Sequence, residues 1–213
     1  MTYITPSSNE NVSRETFALL KQRNVSRETF LRLESYVNLL LKWNSRINLI
    51  SKDSAKHVWT RHVLDSAQLI SYLNLEETIV DIGSGGGLPA IVLSIIGVKN
   101  IHLIERDRRK SIFLQEAKKF SENTVTIHND LFEQVNIANI EVVTARAFSD
   151  ISKLLLLVHN KLAKNGRLLL LKGKNWQEEV KVAKEFMDFE YTCHPSITDN
   201  SGVVICISNL KQR

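Results

Sequence analysis

Ile79-Val-Asp81-Ile-Gly83-Ser-Gly85-Gly-Gly87-Leu88-Pro89 is the segment that most restricts how this chain can fold. An apolar run, Thr78 to Ile82, reads as a buried strand, and Pro89 suits the first turn of a helix. The glycines between them supply a tight turn whose backbone a ligand can approach closely. Gly85-Gly-Gly87-Leu-Pro-Ala90 also fits the pattern G-x-G-x-x-A, and Glu105 follows Gly85 by 20 residues, where a ribose-binding acid belongs. A strand, turn and helix of this kind predict an α/β fold with a mostly parallel sheet.

The rest of the chain keeps that order. Strands are expected at Asn100 to Ile104, Thr124 to His128, Glu141 to Ala145 and Arg167 to Lys172. Helices are expected at Pro89 to Gly97, Asp107 to Ser121, Ile151 to Leu162 and Trp176 to Met187. Phe189 to His194 and Gly202 to Asn209 have no clear helix between them, so they read as a closing antiparallel hairpin. Ahead of the sheet lie helices. Phe30, Leu33, Val37, Leu40, Leu41 and Ile47 form one apolar stripe, and a second helical stretch runs from Val58 to Leu73. The expected divisions are an N-terminal appendage over 1–25, a helical extension over 26–76 and a ligand-binding domain over 77–213.

Asn-Val-Ser-Arg-Glu-Thr-Phe occurs at Asn11 to Phe17 and again at Asn24 to Phe30. Two copies cannot stack as a solenoid. Each reads as a helix start, with Ser13 or Ser26 as N-cap. The heptapeptide can also be encoded so that the palindrome TGTTTCACGTGAAACA lies within its codons, a site that suits a two-fold symmetric protein; local duplication is the plainer reading. With 43% hydrophobic and 24% charged residues, the 213-residue chain is of ordinary globular composition. Its net charge of +5 is compatible with an anionic partner without requiring one. Cys193 and Cys206 form no C-x-x-C pair, so two reduced structural thiols and no metal site are expected. No apolar run is long enough to span a bilayer, and Met1 to Asn11 lacks the marks of a secretory signal. A cytoplasmic protein with no membrane partner is the expectation.

Asp81 sets the ligand chemistry apart from a nicotinamide dinucleotide. A carboxylate directly before the glycines would repel a pyrophosphate, whereas it suits a cation such as the ammonium of S-adenosylmethionine. Glu105 should emerge at the carboxyl end of the second strand, placed for ribose hydroxyls. Asn129-Asp130 ends the third strand and could meet an adenine amine. Arg108, Arg109 and Lys110 start a helix in a window, 99–119, that nets +4, and can contribute phosphate contacts to RNA. Arg61 and His62 lie on the preceding helix and are expected on the RNA face, with Asp65 four residues after Arg61 and able to pair with it. Lys172 ends the fifth strand, and Lys174 just beyond it is a further expected RNA contact. His128 also ends a strand, where packing is its plainer role.

Asp81-Ile-Gly-Ser-Gly-Gly-Gly-Leu-Pro89, Arg61-His-Val-Leu-Asp-Ser66, Lys42-Trp-Asn44, Ala145-Arg-Ala-Phe148 and Leu171-Lys-Gly173 together resemble the bacterial 16S ribosomal RNA guanine-N7 methyltransferases, the glucose-inhibited division protein B family. The resemblance runs from about Ser26 to the C-terminus. It implies a Rossmann-like class I methyltransferase sheet, S-adenosylmethionine as methyl donor, and a guanine in the 530-loop region of 16S rRNA as acceptor within the small ribosomal subunit. A monomer is expected. On matching positions it implies that Gly83, Leu88, Asn129, Asp130 and Arg146 touch the cofactor and that Glu105 is the ribose acid, beside Asp81 and Gly85. Where family members often carry Ala-Glu or Val-Glu, this chain has Asn129-Asp130, a shorter acid.

The residues agree with such an acceptor. The fourth strand runs into Ala145-Arg146-Ala147-Phe148, which has neither the Asn-Pro-Pro-aromatic device of exocyclic-amine methylation nor a nucleophilic cysteine. Guanine N7 carries a lone pair and no proton, so the reaction needs alignment and no general base. Arg146 could hold a phosphate or guanine O6, Phe148 could stack on the base, and Lys172 completes the expected catalytic set. Two rivals stay open: an RNA-binding ribosome-assembly protein without turnover, and an NAD(P)-dependent oxidoreductase.

Overall fold

Ser26 starts helix α1 (Arg27–Asn44) as expected, its hydroxyl accepting the Thr29 N–H at 3.1 Å. Leu33, Tyr36, Val37 and Leu40 form the buried stripe of α1. The computed structural model describes Ala18, Leu20 and residues 25–146 and 150–212. The first heptapeptide copy and Phe148 lie outside the described residues. After a short α2 (Lys52–Ala55), the stretch expected as one helix changes pitch twice. It has a π-helical turn over Trp59–Leu64, then α3 (Asp65–Ala67), then a 3₁₀ turn over Gln68–Tyr72. A π turn carries its hydrogen bonds to i+5, so residues four apart no longer align. The expected Arg61–Asp65 pair is therefore replaced: Arg61 meets Asp199 at 3.7 Å, and Asp65 meets Arg146 at 3.6 Å.

Strands β1 (Thr78–Ile82), β2 (Asn100–Ile104) and β3 (Thr124–His128) have the expected bounds. With β4 (Ile140–Ala145), β5 (Leu162–Lys172), β6 (Met187–Pro195) and β7 (Val203–Gln212) they make one sheet, in the order β3-β2-β1-β4-β5-β7-β6. All neighbours are parallel except β7, which is antiparallel to both β5 and β6. This is the mostly parallel sheet with a C-terminal antiparallel hairpin that the sequence predicts. β5 begins ahead of the expected Arg167, because Ile140 pairs with Leu162 before a register shift brings Val142 to Arg167. The Lys164-Asn-Gly166 stretch inside it shows no apolar alternation to read.

Helices α4 (Ala90–Ile95), α5 (Arg108–Ala117), α6 (Ile151–Val158) and α7 (Trp176–Phe186) complete the layers. Ile79, Leu103, Val142 and Leu169 pack with α1, α4 and α5 on one face, while Val80, Val143, Leu168 and Leu170 pack with α6 and α7 on the other. The period of two along a strand then turns Asp81 and Thr144 toward the α1 face. Among the described residues, no helix is long and apolar enough to cross a membrane.

Gly87 fixes how closely the turn meets the helices. Its φ is +78°, and a Cβ there would lie 2.5 Å from Ile91 Cγ1 and 3.1 Å from Leu114 Cδ2. Gly87→Ala is expected to cost roughly 2 to 4 kcal/mol, from backbone strain plus overpacking. Thermal denaturation would register a midpoint lower by about 5 to 15 °C; an unchanged midpoint would show that the turn relaxes freely.

Candidate active site

The glycine turn is tied down from three sides. The N–H groups of Gly83 and Ser84 donate to Ile104 O at the end of β2, at 2.9 and 3.1 Å. Glu105, 7% exposed, accepts the Gly85 N–H on Oε2 at 2.9 Å and the Asp107 N–H on Oε1 at 2.8 Å. From the third side, the Tyr36 hydroxyl of α1 donates to Gly86 O at 2.5 Å. Gly83, Gly85 and Gly87 take φ of 71°, 52° and 78°, a region that favours glycine. At Gly85 a Cβ would find nothing nearer than Gly83 O at 3.8 Å, so the backbone conformation, not crowding, requires glycine there. The Leu88 side chain is buried.

Asp81 is 1% exposed. Its Oδ1 accepts the Thr144 hydroxyl at 2.7 Å, while Oδ2 is buried with no hydrogen-bond partner. Burial pushes its pKa up to about 7, against the hydrogen bonds from Thr144 and Ser84 and with a smaller push from Glu105. A cation against Oδ2 would satisfy that oxygen and stabilise its charge. The donor set therefore fits an ammonium, as the sequence implied.

Arg146 follows β4 and lies at the same sheet edge. Its Nη2 donates to Arg61 O at 2.7 Å and faces Asp65 Oδ2 at 3.6 Å, while its buried Nη1 has no partner. Burial lowers the Arg146 pKa and raises that of Asp65, even though each charge favours the other. Asp65 also accepts Gln68 Nε2 at 2.9 Å and the Thr198 hydroxyl at 2.5 Å, which docks the β6–β7 connection onto the site.

A cavity of about 460 Å³ opens beside Arg146, at the carboxyl ends of β4 and β5. Arg61, Arg146 and Lys172 line it, and each faces an acid that also lines it: Asp199, Asp65 and Glu179 respectively. The balanced charge suits a neutral base with polar edges better than a phosphate.

Lys172 was expected beside Arg146 in a catalytic set, and the structure brings both to the lining of one cavity. The strand alternation turns it to the α7 side, where Nζ meets Glu179 Oε2 at 2.7 Å. His62 was expected on an RNA face, but it is 5% exposed, so packing removes it from any surface contact. Burial, then Arg146 and Arg61, pushes its pKa down to about 3. Arg61 and Lys174 are accessible, with the Arg61 side chain 54% exposed. At the start of α5, Arg108 and Arg109 are exposed and Lys110 is half-buried. Asn129 turns its amide N–H groups to the carbonyls of Glu105 and Arg106, at 2.9 and 3.1 Å, which leaves its own carbonyl outward. Exposed Asp130 accepts the Leu131 N–H at 2.8 Å. His128 shares a hydrogen bond with His102 at 3.0 Å. Among the described residues, no group of three His, Cys, Asp or Glu could hold a metal ion.

Sequence reasoning missed Tyr36, Thr144, Thr198 and Asp199. Tyr36 stands in the α1 stripe and could have been found by asking what its hydroxyl would bond when buried. The other three are placed by strand pairing and by a loop, which leave no local pattern.

The profile described as GidB, rRNA small subunit methyltransferase G, matches residues 30–203. A protein of Rickettsia rickettsii (strain Sheila Smith) named ribosomal RNA small subunit methyltransferase G is 47% identical over 180 residues, covering 84% of this chain and 93% of its own. The protein of that name from Rickettsia prowazekii (strain Madrid E) is 45% identical over the same length. Among solved structures, a ribosomal protein L11 methylase from Lactobacillus delbrueckii subsp. bulgaricus superposes with a TM-score of 0.56 at 13% identity, covering 68% of this chain and 76% of its own. A putative S-adenosyl-L-methionine-dependent methyltransferase from Methanococcus maripaludis gives 0.54 at 16% identity, covering 71% and 86%. At those identities the likeness is one of fold.

Proposed function

The chain belongs to the rRNA small subunit methyltransferase G family, and from that premise we propose that it methylates N7 of a guanine in the 530-loop region of 16S rRNA, using S-adenosylmethionine. The observation that carries the cofactor reading is the buried, unpartnered Oδ2 of Asp81 beside the glycine turn. The same carboxylate counts against the dinucleotide alternative, because a pyrophosphate there would face a buried acid.

S-adenosylmethionine supplies an electrophilic methyl group when bound. Asp81 would hold its ammonium. Glu105, whose two oxygens each accept one backbone N–H, keeps lone pairs for the ribose hydroxyls. The outward carbonyl of Asn129 is the acceptor suited to an adenine amine, with Asp130 beside it. Arg146 separates this cradle from the cavity of about 460 Å³, which would take the guanine and exclude water from it. Arg61 and Lys172 on the cavity walls position the base through their paired acids. N7 needs no deprotonation, and the two histidines nearest the chemistry offer no ready base: His62 is buried and His128 is bonded to His102.

Arg108, Arg109, Lys110 and Lys174 are the phosphate-contacting set of this reading, with Arg61 at the cavity mouth. Reversing Arg108, Arg109 and Lys110 to Glu should lower RNA affinity and flatten its dependence on salt, with cofactor binding unchanged. An unchanged salt slope would leave that helix end as plain solvated surface. The protein is read as a cytoplasmic monomer acting on rRNA in the small subunit.

The decisive experiment incubates the protein with labelled methyl donor and 30S particles or free 16S rRNA, then treats the RNA with mild reduction and aniline. Cleavage at a single guanine is the expected result, because N7 methylation labilises the purine ring. Label without cleavage would move the acceptor to another atom. No label on either substrate would favour a binding protein without turnover.

A further inference from the structure

Among the described residues, the buried side-chain atoms without a hydrogen-bond partner belong to three residues only: Oδ2 of Asp81, Nη1 of Arg146 and both ring nitrogens of His62. Buried polar groups are nearly always satisfied, so such a set calls for an explanation. Strand pairing and one hydrogen bond link the three. Asp81 pairs with Thr144 across the sheet, and Arg146 follows two residues later at the same edge. Arg146 Nη2 donates to Arg61 O, the carbonyl of the peptide that joins Arg61 to His62. The charge of Arg146 acts on both His62 and Tyr36, and Tyr36 in turn senses Asp81 and holds Gly86 O.

The set contains one acid, a guanidinium N–H and an imidazole. That complements a zwitterion carrying an ammonium and a carboxylate a few ångströms apart, which is the amino-acid end of the cofactor. Resting on the methyl-donor reading above, we propose that His62 is a further cofactor-binding residue: a ring N–H donates to the carboxylate of S-adenosylmethionine beside Nη1 of Arg146, while Asp81 takes the ammonium. The ring's neutrality, held by burial and by the neighbouring arginines, keeps it a plain hydrogen-bond donor with no role in proton transfer. No other imidazole among the described residues is both buried and unpartnered.

Calorimetry with two ligands tests this: S-adenosylmethionine, and its decarboxylated form, which keeps the sulfonium and amine but lacks the carboxylate. His62→Leu should bind S-adenosylmethionine about tenfold more weakly, the size of one hydrogen bond to a charged group, and should bind the decarboxylated form as wild type does. His62→Gln, which keeps an N–H, should recover part of the loss. Without ligand, His62→Leu should melt no lower than wild type, because leucine removes two unpartnered nitrogens. An equal loss for both ligands, or no loss, would overturn the assignment and return His62 to packing. If wild type binds neither ligand, the methyl-donor reading itself fails. Should His62→Leu not fold, the nitrogen-15 spectrum of the wild-type ring decides: S-adenosylmethionine should shift one ring N–H and slow its exchange, and the decarboxylated form should not. Identical spectra with the two ligands would sink the proposal.

Discussion

Asp81→Asn should make the ligand-free protein more stable at pH 8 and its cofactor binding weaker, two changes of opposite sign from one atom replacement. The fold raises the pKa of Asp81 from its usual 3.8 to about 7. Between those values the folded chain holds a proton that the unfolded chain has released, so stability falls as pH rises through the window. Above it, the ionised carboxylate costs about 4 kcal/mol. Asparagine removes that charge and keeps an oxygen for Thr144, but leaves its amide nitrogen in the unpartnered position at a cost of roughly 1 to 3 kcal/mol. The expected net gain is about 1 to 3 kcal/mol in urea unfolding at pH 8, shrinking toward zero at pH 5, where wild-type Asp81 is already protonated. Cofactor affinity at pH 8 should drop by about 10- to 100-fold with the loss of a charge-assisted contact. In wild type, affinity should strengthen as pH rises from 6 to 8. An affinity indifferent both to the substitution and to pH would remove Asp81 from the site.

Arg146→Lys should be nearly as damaging as deletion of the side chain, although the charge is kept. The two prongs of the guanidinium differ: Nη2 meets Arg61 O and Asp65, and Nη1 is buried without a partner, where the proposal above gives it the donor's carboxylate. A lysine ammonium is one point on a flexible stem and cannot do both. Because Arg146 borders the cavity, misplacement there disturbs alignment of the acceptor as well as cofactor binding. Single-turnover rates should fall by about 100-fold or more at saturating cofactor. Arg146→Leu should add a stability loss of about 2 to 4 kcal/mol by stranding Asp65, moderated because that carboxylate keeps Gln68 and Thr198 as donors. A lysine variant with near-normal turnover would reduce Arg146 to a structural ion pair.

The strands that bound the glycine turn were legible to the residue, because Thr78–Ile82 and Asn100–Ile104 are short apolar runs closed by turn chemistry on both sides. The place of Asp81 near the end of the first of them, directly before the glycines, was legible too. The pitch of the Trp59–Leu64 segment was not legible: apolar spacing marks it as helical, but the hydrogen-bond ladder is set by packing around Trp59, Val63 and Leu64. With the ladder went the partners of Arg61 and Asp65. His62 reads in sequence as one more polar residue beside an arginine, and its burial appears only in the folded chain. Lys172 illustrates a different gap. Its position at a strand end was visible, but Leu168 to Leu171 are uniformly apolar and show no alternation from which to read the side on which it emerges.

The bond from Tyr36 to Gly86 makes α1 a brace of the glycine turn as well as a neighbour of α5, the helix proposed above to meet RNA phosphates. On the function proposed above, whatever shifts α1 when RNA docks would also alter the turn that holds the donor, so the two ligands would share a coupling free energy. Linkage makes it reciprocal: the factor by which RNA changes donor affinity equals the factor by which the donor changes RNA affinity. If RNA presses α1 onto the turn, the donor is held tightest while the acceptor is present. A helix placed ahead of the sheet would thereby set the order in which the two substrates come and go.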